Sequence, residues 1–180
     1  TSKSSRENPS LELHLEGVHP YVLGLALPAL AGHNPQDIKS LNIFLTKDNS
    51  AKVGDLGASR KIDEEGNIID EIGESGETAP QNARVGTPYY LAPELWQDKP
   101  CSKKSDIWAL GVILYELCAL QVPFTGEDMQ ELENRICEKK YTQLPNNINK
   151  ILQGLIQKCL MKKAEQRPTI EELVMMPEFQ

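Results

Sequence analysis

The apolar residues of the chain follow two different patterns on either side of about residue 85. Before it, the short β-type runs Ile43–Leu45 and Ala51–Val53 flank the turn-forming sequence "KDNS" at residues 47–50. This arrangement predicts a small β-hairpin. After residue 85, apolar residues recur at helical spacing through most of the chain. The pattern therefore predicts a mainly α fold with a small β-hairpin region.

One predicted helix has the composition of a buried element. The sequence "SDIWALGVILYELCAL" at residues 105–120 is apolar nearly all round, which is typical of a helix inside a domain. Ser105 or Asp106 can cap its start, and Pro123 ends it. Gly111 in its middle costs about 1 kcal/mol relative to alanine, so we expect another part of the chain to approach the backbone there.

Two further helices are predicted towards the end of the chain. Residues 147–160, "NINKILQGLIQKCL", carry apolar side chains at amphipathic spacing: Ile148, Ile151, Leu152, Leu155, Ile156, Cys159 and Leu160. In the later sequence "RPTIEELVMM", Thr169 and Glu172 have the spacing of a capping box.

Two segments lack a persistent apolar period. Residues 1–36 are polar and then apolar, and we expect them to be poorly ordered. Residues 61–84 are rich in Asp, Glu and Gly, with four isoleucines as almost their whole apolar content. We predict a mobile acidic loop there. Such a loop could imitate a phosphate electrostatically or favour basic substrates, but a disordered insertion is the simpler interpretation.

Composition excludes several classes of protein. A net charge of −7 and a pI near 5.1 argue against nonspecific nucleic-acid binding. The apolar run at residues 21–32 is shorter than the roughly 20 residues that span a bilayer, and the first ten residues do not resemble a signal peptide. Four widely spaced cysteines without a C-x-x-C pair suit reduced thiols in the cytosol. We therefore expect a cytoplasmic protein with no membrane or nucleic-acid partner.

Candidate chemistry lies in the sequence "DIKSLN" and in "GDLG" that follows it. Asp37, Lys39 and Asn42 belong to the first, and Asp55 in the second lies eighteen residues after Asp37. Phosphoryl transfer needs a carboxylate to accept the hydroxyl proton, a cation near the phosphoryl group and oxygen ligands for Mg²⁺. Asp37 can be the base, Lys39 the cation, and Asn42 and Asp55 the metal ligands. Taken alone, the hexapeptide is more simply a polar turn with an incidental ion pair.

Further motifs in a fixed order change that assessment. The sequences "VGTPYYLAPEL", "SDIWALG" and "QRP" follow "DIKSLN" and "GDLG", and the whole resembles the C-terminal lobe of a protein kinase. The sequences "DIKSLNIFLT" and "VGTPYYLAPELW" most resemble those of the NIMA-related serine/threonine kinases. The resemblance covers residues 37–179. It implies a protein-kinase-like large lobe, truncated, with ATP and Mg²⁺ as cofactors and protein substrates as partners; the oligomeric state stays open.

The resemblance assigns roles to individual residues. Asp37 matches the catalytic aspartate, Lys39 the lysine typical of serine/threonine kinases, and Asn42 and Asp55 the Mg²⁺ ligands. Four more matching positions are Thr87, Glu94, Asp106 and Arg167. Thr87 would help to recognise a Ser or Thr hydroxyl, or be only a turn residue before a proline. Glu94 and Arg167 would form a buried ion pair that braces the substrate loop. Asp106 would bind backbone amides of the catalytic loop, which is compatible with capping a helix.

Several parts of a complete kinase do not match. No two glycines lie two positions apart, and Lys3 is the only lysine before Lys39, so neither the glycine-rich lid nor the strand lysine is found. Pro35 and Gln36 stand where the family has His and Arg, and His33, two positions too early for the family histidine, is interpreted as a surface residue. Ala83 replaces the usual phosphate acceptor. Both halves of that phosphate switch are therefore missing, although Ser59, Ser75 and Thr78 remain candidate phosphosites.

Three hypotheses follow for function. The chain belongs to a serine/threonine kinase whose site works in a complete protein; it is a catalytically dead binding module; or residues 1–36 reflect a truncated or misjoined coding sequence. We favour the first combined with the third, in which the 180-residue chain is an incomplete catalytic domain, inactive in isolation. The resemblance also suggests microtubule- or cilium-linked work, and hence a cytoskeletal or ciliary location. The expected organisation is a non-matching segment 1–36 and a kinase C-lobe 37–180, with an acidic insertion at 61–84 and a helical subdomain at 105–180.

Overall fold

The computed structural model describes residues 33–34, 39–45, 51–53, 60–62, 68–69, 88–146 and 148–176. Their elements are strands first and helices afterwards. The strands are β1 His33–Asn34, β2 Ile43–Leu45, β3 Ala51–Val53, β4 Arg60–Ile62 and β5 Ile68–Ile69. The helices are α1 Pro93–Trp96, α2 Lys103–Ala119, α3 Met129–Glu138, α4 Lys150–Cys159 and α5 Ile170–Val174, with 3₁₀ turns at Ser40–Asn42, Pro88–Tyr90 and Ala164–Gln166.

Helix α2 forms the centre of the core. All residues from Ser105 to Tyr115 are buried, which explains why the helix has no polar face. Its start differs from the prediction: the N-cap is Ser102, and Ser105 is the third helical residue, whose side chain accepts a hydrogen bond from the Ser102 backbone amide in a capping box. The helix ends at Ala119, and Leu120 adopts a left-handed conformation with φ of 55°. It thus stops before Pro123, with Leu120 in a backbone region that a helix cannot continue through.

Helix α4 packs closely against α2 at Gly111. A Cβ placed on Gly111 would lie 2.7 Å from Cys159 Cβ and 2.9 Å from Leu160 Cδ2. The expected close approach at this glycine is therefore confirmed. Helix α4 buries Leu152, Leu155, Ile156 and Cys159, whereas Ile151 is 40% exposed although the pattern placed it on the apolar face.

The smaller helices extend this core. Helix α3 begins at the N-cap Asp128 and buries Leu132 and Ile136. Helix α5 has the predicted capping box: Thr169 Oγ1 accepts from the Glu172 amide at 3.1 Å, and Glu172 Oε2 accepts from the Thr169 amide at 2.7 Å. Within the described residues, the four cysteines are free thiols.

The predicted hairpin is present with the predicted strand bounds. Strands β2 and β3 pair antiparallel, with Ile43 opposite Val53 and Leu45 opposite Ala51. The acidic stretch differs from the prediction, because β4 and β5 lie within it or at its edge and pair antiparallel with each other, while β4 also pairs with β1. The β-branched Ile62, Ile68 and Ile69 favour strands, and their pairing outweighs the acidic composition.

The predicted mainly helical fold with a small β-hairpin region is confirmed for the described residues. The predictions for residues 1–32 and for most of 63–87 lie outside the described residues. Among the helices that the structure describes, none combines the length and apolarity needed to cross a bilayer.

Candidate active site

The predicted site residues divide into two groups. Asp37, Asp55 and Thr87 lie outside the described residues, so their roles stay predictions. The other group comprises Lys39, Asn42, Glu94, Asp106 and Arg167, all of which the structure describes. Contacts between site residues can therefore be described in three places: the second half of "DIKSLN", the residues after Thr87, and the helical core.

The "KSLN" part of the motif forms a tight 3₁₀ turn immediately before strand β2. Residues Ser40–Asn42 make up the turn, and the Asn42 amide donates to the Lys39 carbonyl at 3.0 Å. Asn42 is 6% exposed, whereas Lys39 is half-buried. The turn therefore buries the amide of Asn42, whose uncharged oxygen could bind a metal ion, and leaves the cationic Lys39 nearer the surface. Both positions are compatible with the predicted roles.

A chain of side-chain hydrogen bonds joins this turn to the second motif. The Tyr90 hydroxyl donates to Glu116 Oε2 at 2.7 Å and lies 2.9 Å from Ser40 Oγ. Since the phenol has one proton and gives it to the carboxylate, Ser40 is the donor in the second bond. Burial raises the pKa of Tyr90, and the neighbouring Glu116 carboxylate raises it further. The hydroxyl therefore stays protonated near neutral pH and holds three segments together.

Sequence reasoning gave Ser40, Tyr90 and Glu116 no role. Ser40 and Tyr90 are fifty residues apart, so no local pattern connects them. A signal for Glu116 was nevertheless present, because it is the only charged residue between Ile107 and Ala119. A lone carboxylate in an otherwise apolar stretch of a helix requires a partner.

Glu94 and Arg167 form a bidentate ion pair in the core. Arg167 Nη2 lies 2.7 Å from Glu94 Oε2, and Nη1 lies 2.8 Å from Oε1. Ser105 Oγ also donates to Glu94 Oε1 at 2.8 Å. Burial raises the pKa of Glu94, but the hydrogen bonds and charge of Arg167 outweigh this effect and leave the pKa below its usual range. The pair expected from the family pattern is thus present, and Ser105 completes it.

The remaining donors of Arg167 bind backbone carbonyls. Nε donates to Met161 O at 2.7 Å, Nη1 to Lys104 O at 2.8 Å and Nη2 to Lys162 O at 3.1 Å. All five N–H groups of the guanidinium are therefore used. The side chain joins α1, the start of α2 and the segment after α4, so it ties the residues after Thr87 to the helical core.

An aromatic stack continues from this pair. The Arg167 guanidinium carbon lies 5.1 Å from the centre of the Trp108 ring, and Phe124 stacks on Trp108 at 5.7 Å with an interplanar angle of 9°. Lys162 Nζ lies 5.2 Å from the Trp108 ring centre and 4.1 Å from that of Phe124. The same ammonium donates to the Ile136 carbonyl in the last turn of α3. Two cations therefore lie close to one indole, within the range of cation–π attraction.

Asp106 is buried in the first turn of α2, and burial raises the pKa of its carboxyl well above the usual range. Its predicted role, binding backbone amides of the catalytic loop, stays a prediction.

Metal binding depends on residues in both groups. The described part of the chain contains no group of three or more His, Cys, Asp and Glu side chains placed to hold a metal ion. The predicted pair Asn42 and Asp55 is of another kind, with one amide and one carboxylate oxygen, and this donor set suits Mg²⁺, which keeps several other ligands as water or phosphate. Buried Asn42 is compatible with that role.

Comparisons with known proteins identify one family. The model of the family described as "Protein kinase domain" matches residues 33–179. Serine/threonine-protein kinase Nek3 of Mus musculus is 40% identical over 139 residues, and Nek4 of the same species is 37% identical over 142 residues. G2-specific protein kinase fin1 of Schizosaccharomyces pombe is 36% identical over 142 residues. The alignments cover 77%, 79% and 79% of this chain, respectively.

These alignments cover only a small part of each relative. They span 25% of Nek3, 16% of Nek4 and 18% of fin1. The family match starts at residue 33, so it includes Pro35 and Gln36 as well as Asp37.

Proposed function

Because the chain belongs to the protein kinase family and is similar to its NIMA-related serine/threonine members, we propose that it supplies the large-lobe half of a serine/threonine kinase site. The reaction is transfer of the ATP γ-phosphoryl group to Ser or Thr hydroxyls of protein substrates. The observation that carries the proposal is the Ser40–Tyr90–Glu116 chain, which joins the turn holding Lys39 and Asn42 to the residues just after Thr87.

Each proposed role follows from the chemistry of a side chain. Asp37 accepts the proton of the substrate hydroxyl, and Lys39 neutralises charge on the transferred phosphoryl group. Asn42 and Asp55 would hold Mg²⁺, which when bound neutralises charge on the ATP phosphates. Thr87 positions the substrate hydroxyl. These assignments rest on the motif order and, for Lys39 and Asn42, on their common turn.

The hydrogen-bonded chain and the ion pair support this site from two directions. Tyr90 fixes the substrate-side segment against the Ser40 turn, and Glu94 with Arg167 fixes the same segment, four residues further on, against the core. Positioning of this kind is a major source of rate in phosphoryl transfer, because the protein does little covalent chemistry.

The 180 residues taken alone are proposed to be inactive. They contain neither a G-x-G pair nor a lysine between Lys3 and Lys39. Without those groups nothing covers the phosphates or neutralises the α- and β-phosphates of ATP. The proposal is therefore that the site residues act when another segment supplies the small lobe.

A chimaeric protein tests this proposal directly. The small lobe of an active NIMA-related kinase, extended to the residue before its catalytic aspartate, is joined to residues 37–180 of this chain. We expect Mg²⁺-dependent phosphorylation of casein, reduced at least about 100-fold by Asp37→Asn, since the general base contributes roughly that much or more. The exposed Glu138→Gln serves as the control and should change nothing.

The outcomes separate kinase from binding module. Turnover that depends on Asp37 supports the kinase proposal. A folded chimaera that binds Mg²⁺-ATP, shown by a raised melting temperature, but transfers no phosphate would favour a catalytically dead module. Mg²⁺-dependent casein phosphorylation by the 180-residue chain itself, abolished by Asp37→Asn, would overturn the proposed inactivity in isolation.

We also propose a cytoplasmic location with cytoskeletal or ciliary association, which rests on the resemblance alone. Imaging of a fluorescently tagged chain before and after microtubule depolymerisation tests it. A signal that is uniform under both conditions would count against the association.

A further inference from the structure

A polar cavity lies beside Phe124, whose ring stacks on Trp108. Its volume is about 430 Å³, and it opens between the segment after α2 and helix α3 with the residues that follow. Its lining includes the buried Pro123 and Phe124 and the half-buried Val122; the remaining lining residues are polar, and all of them except the half-buried Glu131 are exposed. It therefore combines an apolar floor with a polar rim, as ligand sites commonly do.

The rim carries more positive than negative charge. Arg135, Lys139 and Lys140 line the cavity, and Glu131 is the one carboxylate among the residues that line it. That carboxylate already accepts from Arg135 Nη2 at 2.6 Å and Nε at 3.0 Å, and from the Glu127 amide at 2.7 Å. Glu131 and Arg135 thus compensate one another, and the two lysines remain as a surplus of positive charge on a chain of net charge −7.

The backbone at this end of α3 does not cancel that surplus. The carbonyl groups at the C-terminus of a helix carry partial negative charge, which repels an anion. Here the Lys162 ammonium, from the core side, donates to the carbonyls of Arg135 and Ile136. The cavity therefore faces a helix end whose negative pole is partly neutralised.

The hydrogen-bonding groups of the rim extend the same preference. Thr125 and Thr142 offer hydroxyls, and Gln121 and Asn134 offer amide groups, all able to donate to carboxylate oxygens. A ligand that fits must therefore supply several acidic groups for the rim and at least one apolar side chain for the Phe124 floor. A peptide with interspersed carboxylates and aliphatic residues has this chemistry, whereas a small inorganic anion would leave the floor uncovered.

We propose that this cavity is a docking site for an acidic peptide segment of a protein partner, recognised by Lys139 and Lys140 at the rim and by Phe124 at the floor. This chain contains a sequence of the required composition. Residues 62–83 hold no lysine or arginine, seven carboxylates and four isoleucines. That sequence serves as the probe for the proposed occupant, a segment of like composition in a partner protein. The inference concerns binding and is independent of the kinase proposal.

Binding of a fluorescein-labelled peptide with the sequence of residues 62–83 tests the proposal, measured by fluorescence anisotropy on the full 180-residue chain. We expect saturable binding that weakens with salt. The double variant Lys139→Glu/Lys140→Glu should weaken it at least about tenfold, because reversing two rim charges replaces attraction by repulsion. A peptide with its seven carboxylates changed to amides should not bind.

A matched control removes the effect of net charge. Lys150 and Lys158 are exposed on α4 and do not line the cavity, so Lys150→Glu/Lys158→Glu changes the total charge equally. We expect less than about a twofold change in affinity, as for charges remote from a binding site.

Competition from the chain's own acidic residues is excluded by a second form of the protein. In it, the seven carboxylates of residues 62–83 are changed to amides, and the labelled peptide should bind at least as tightly as to the wild-type chain. Failure of the peptide to bind either form at several hundred micromolar would overturn the proposal. Equal weakening by both lysine pairs would also overturn it, since it would show general electrostatic attraction rather than a site.

Discussion

Replacement of Arg167 by methionine is the sharpest test of the core contact described above. Arg167 is 1% exposed, and all five of its N–H groups donate to Glu94 or to backbone carbonyls. Arg167→Met keeps an unbranched apolar stem, shortens the side chain by its guanidinium end and removes every donor. Of the hydrogen-bond donors described above for Glu94, only the Ser105 hydroxyl then remains. The Glu94 side chain stays buried, since the residue is 7% exposed.

The expected loss is large relative to the stability of a domain. Removal of one partner from a buried ion pair costs about 3–5 kcal/mol, because the other charge stays buried without compensation. Domains are stable by about 5–15 kcal/mol, so the variant should lose at least about a fifth of its free energy of unfolding. Changing Glu94 to leucine as well removes the orphaned charge, so we expect Glu94→Leu/Arg167→Met to be more stable than Arg167→Met alone.

Urea unfolding followed by circular dichroism at 222 nm measures these differences. The chain offers a control in Arg135→Met, which breaks another Arg–Glu pair whose side chains are 48% and 36% exposed. Solvent screens that pair, so its loss should be small. A free energy of unfolding of Arg167→Met within about 1 kcal/mol of the wild-type value would contradict this expectation. Additive effects of the two core substitutions on that free energy would contradict it as well.

Three further predictions concern other contacts. Gly111→Ala should destabilise by about 1–2 kcal/mol, since overpacking costs roughly 1–3 and the gain in helix propensity returns at most about 1; Gly154→Ala, with nothing within 4 Å of its Cβ, should instead stabilise by up to about 1 kcal/mol. Tyr90→Phe should cost about 1–3 kcal/mol because Glu116 loses a donor at a half-buried site. Glu94→Gln should be less stable than the wild-type chain at pH 7, but its stability should fall less than that of the wild-type chain when the pH drops below about 4.5. Urea unfolding at both pH values measures the stability of all four variants.

The controls and the sign of the pH effect follow from the same structure. Because the pKa of Glu94 is lowered on folding, its contribution is present above the unfolded value of 4.5 and disappears as the pH falls through the folded value. Equal acid sensitivity of the wild-type chain and Glu94→Gln would contradict this. Tyr89→Phe, at a tyrosine 38% exposed, should have no effect comparable with Tyr90→Phe. The changes in the free energy of unfolding must have opposite signs for Gly111→Ala and Gly154→Ala. Equal changes would contradict the close packing described at Gly111.

The fold was predictable where one short-range pattern decides it. The all-round apolar character of α2 and the bounds of the hairpin could be predicted from local periodicity alone. The start of α2 was not, because Ser102 and Ser105 stand three residues apart and either can cap; the structure uses both, in one capping box. The pairing of β4 with β5 was missed because the acidic composition was interpreted as a loop despite the nearby isoleucines, and the pairing of β4 with β1, about 27 residues earlier, leaves no local signal.

The residue types of the site could be predicted from the sequence, but not all of the contacts between its side chains. Ordered motifs identified Glu94 and Arg167 as partners across 73 residues. No motif indicated that Tyr90 bonds to Ser40, or that Lys162 would lie over Phe124, because these contacts depend on how helices pack. Sequence thus gives the groups that do chemistry, and tertiary packing decides which of them are held and by what.

Trp108 gives the molecule an internal optical reporter. It is one of two tryptophans, it is fully buried, and its ring lies about 5 Å from both the Arg167 guanidinium and the Lys162 ammonium. Since the excited indole is more polar than its ground state, the emission wavelength responds to cations at such distances. Phe124, which stacks on Trp108, also lines the cavity beside α3. The emission of Trp108 can therefore report both an event in that cavity and the state of the Glu94–Arg167 ion pair.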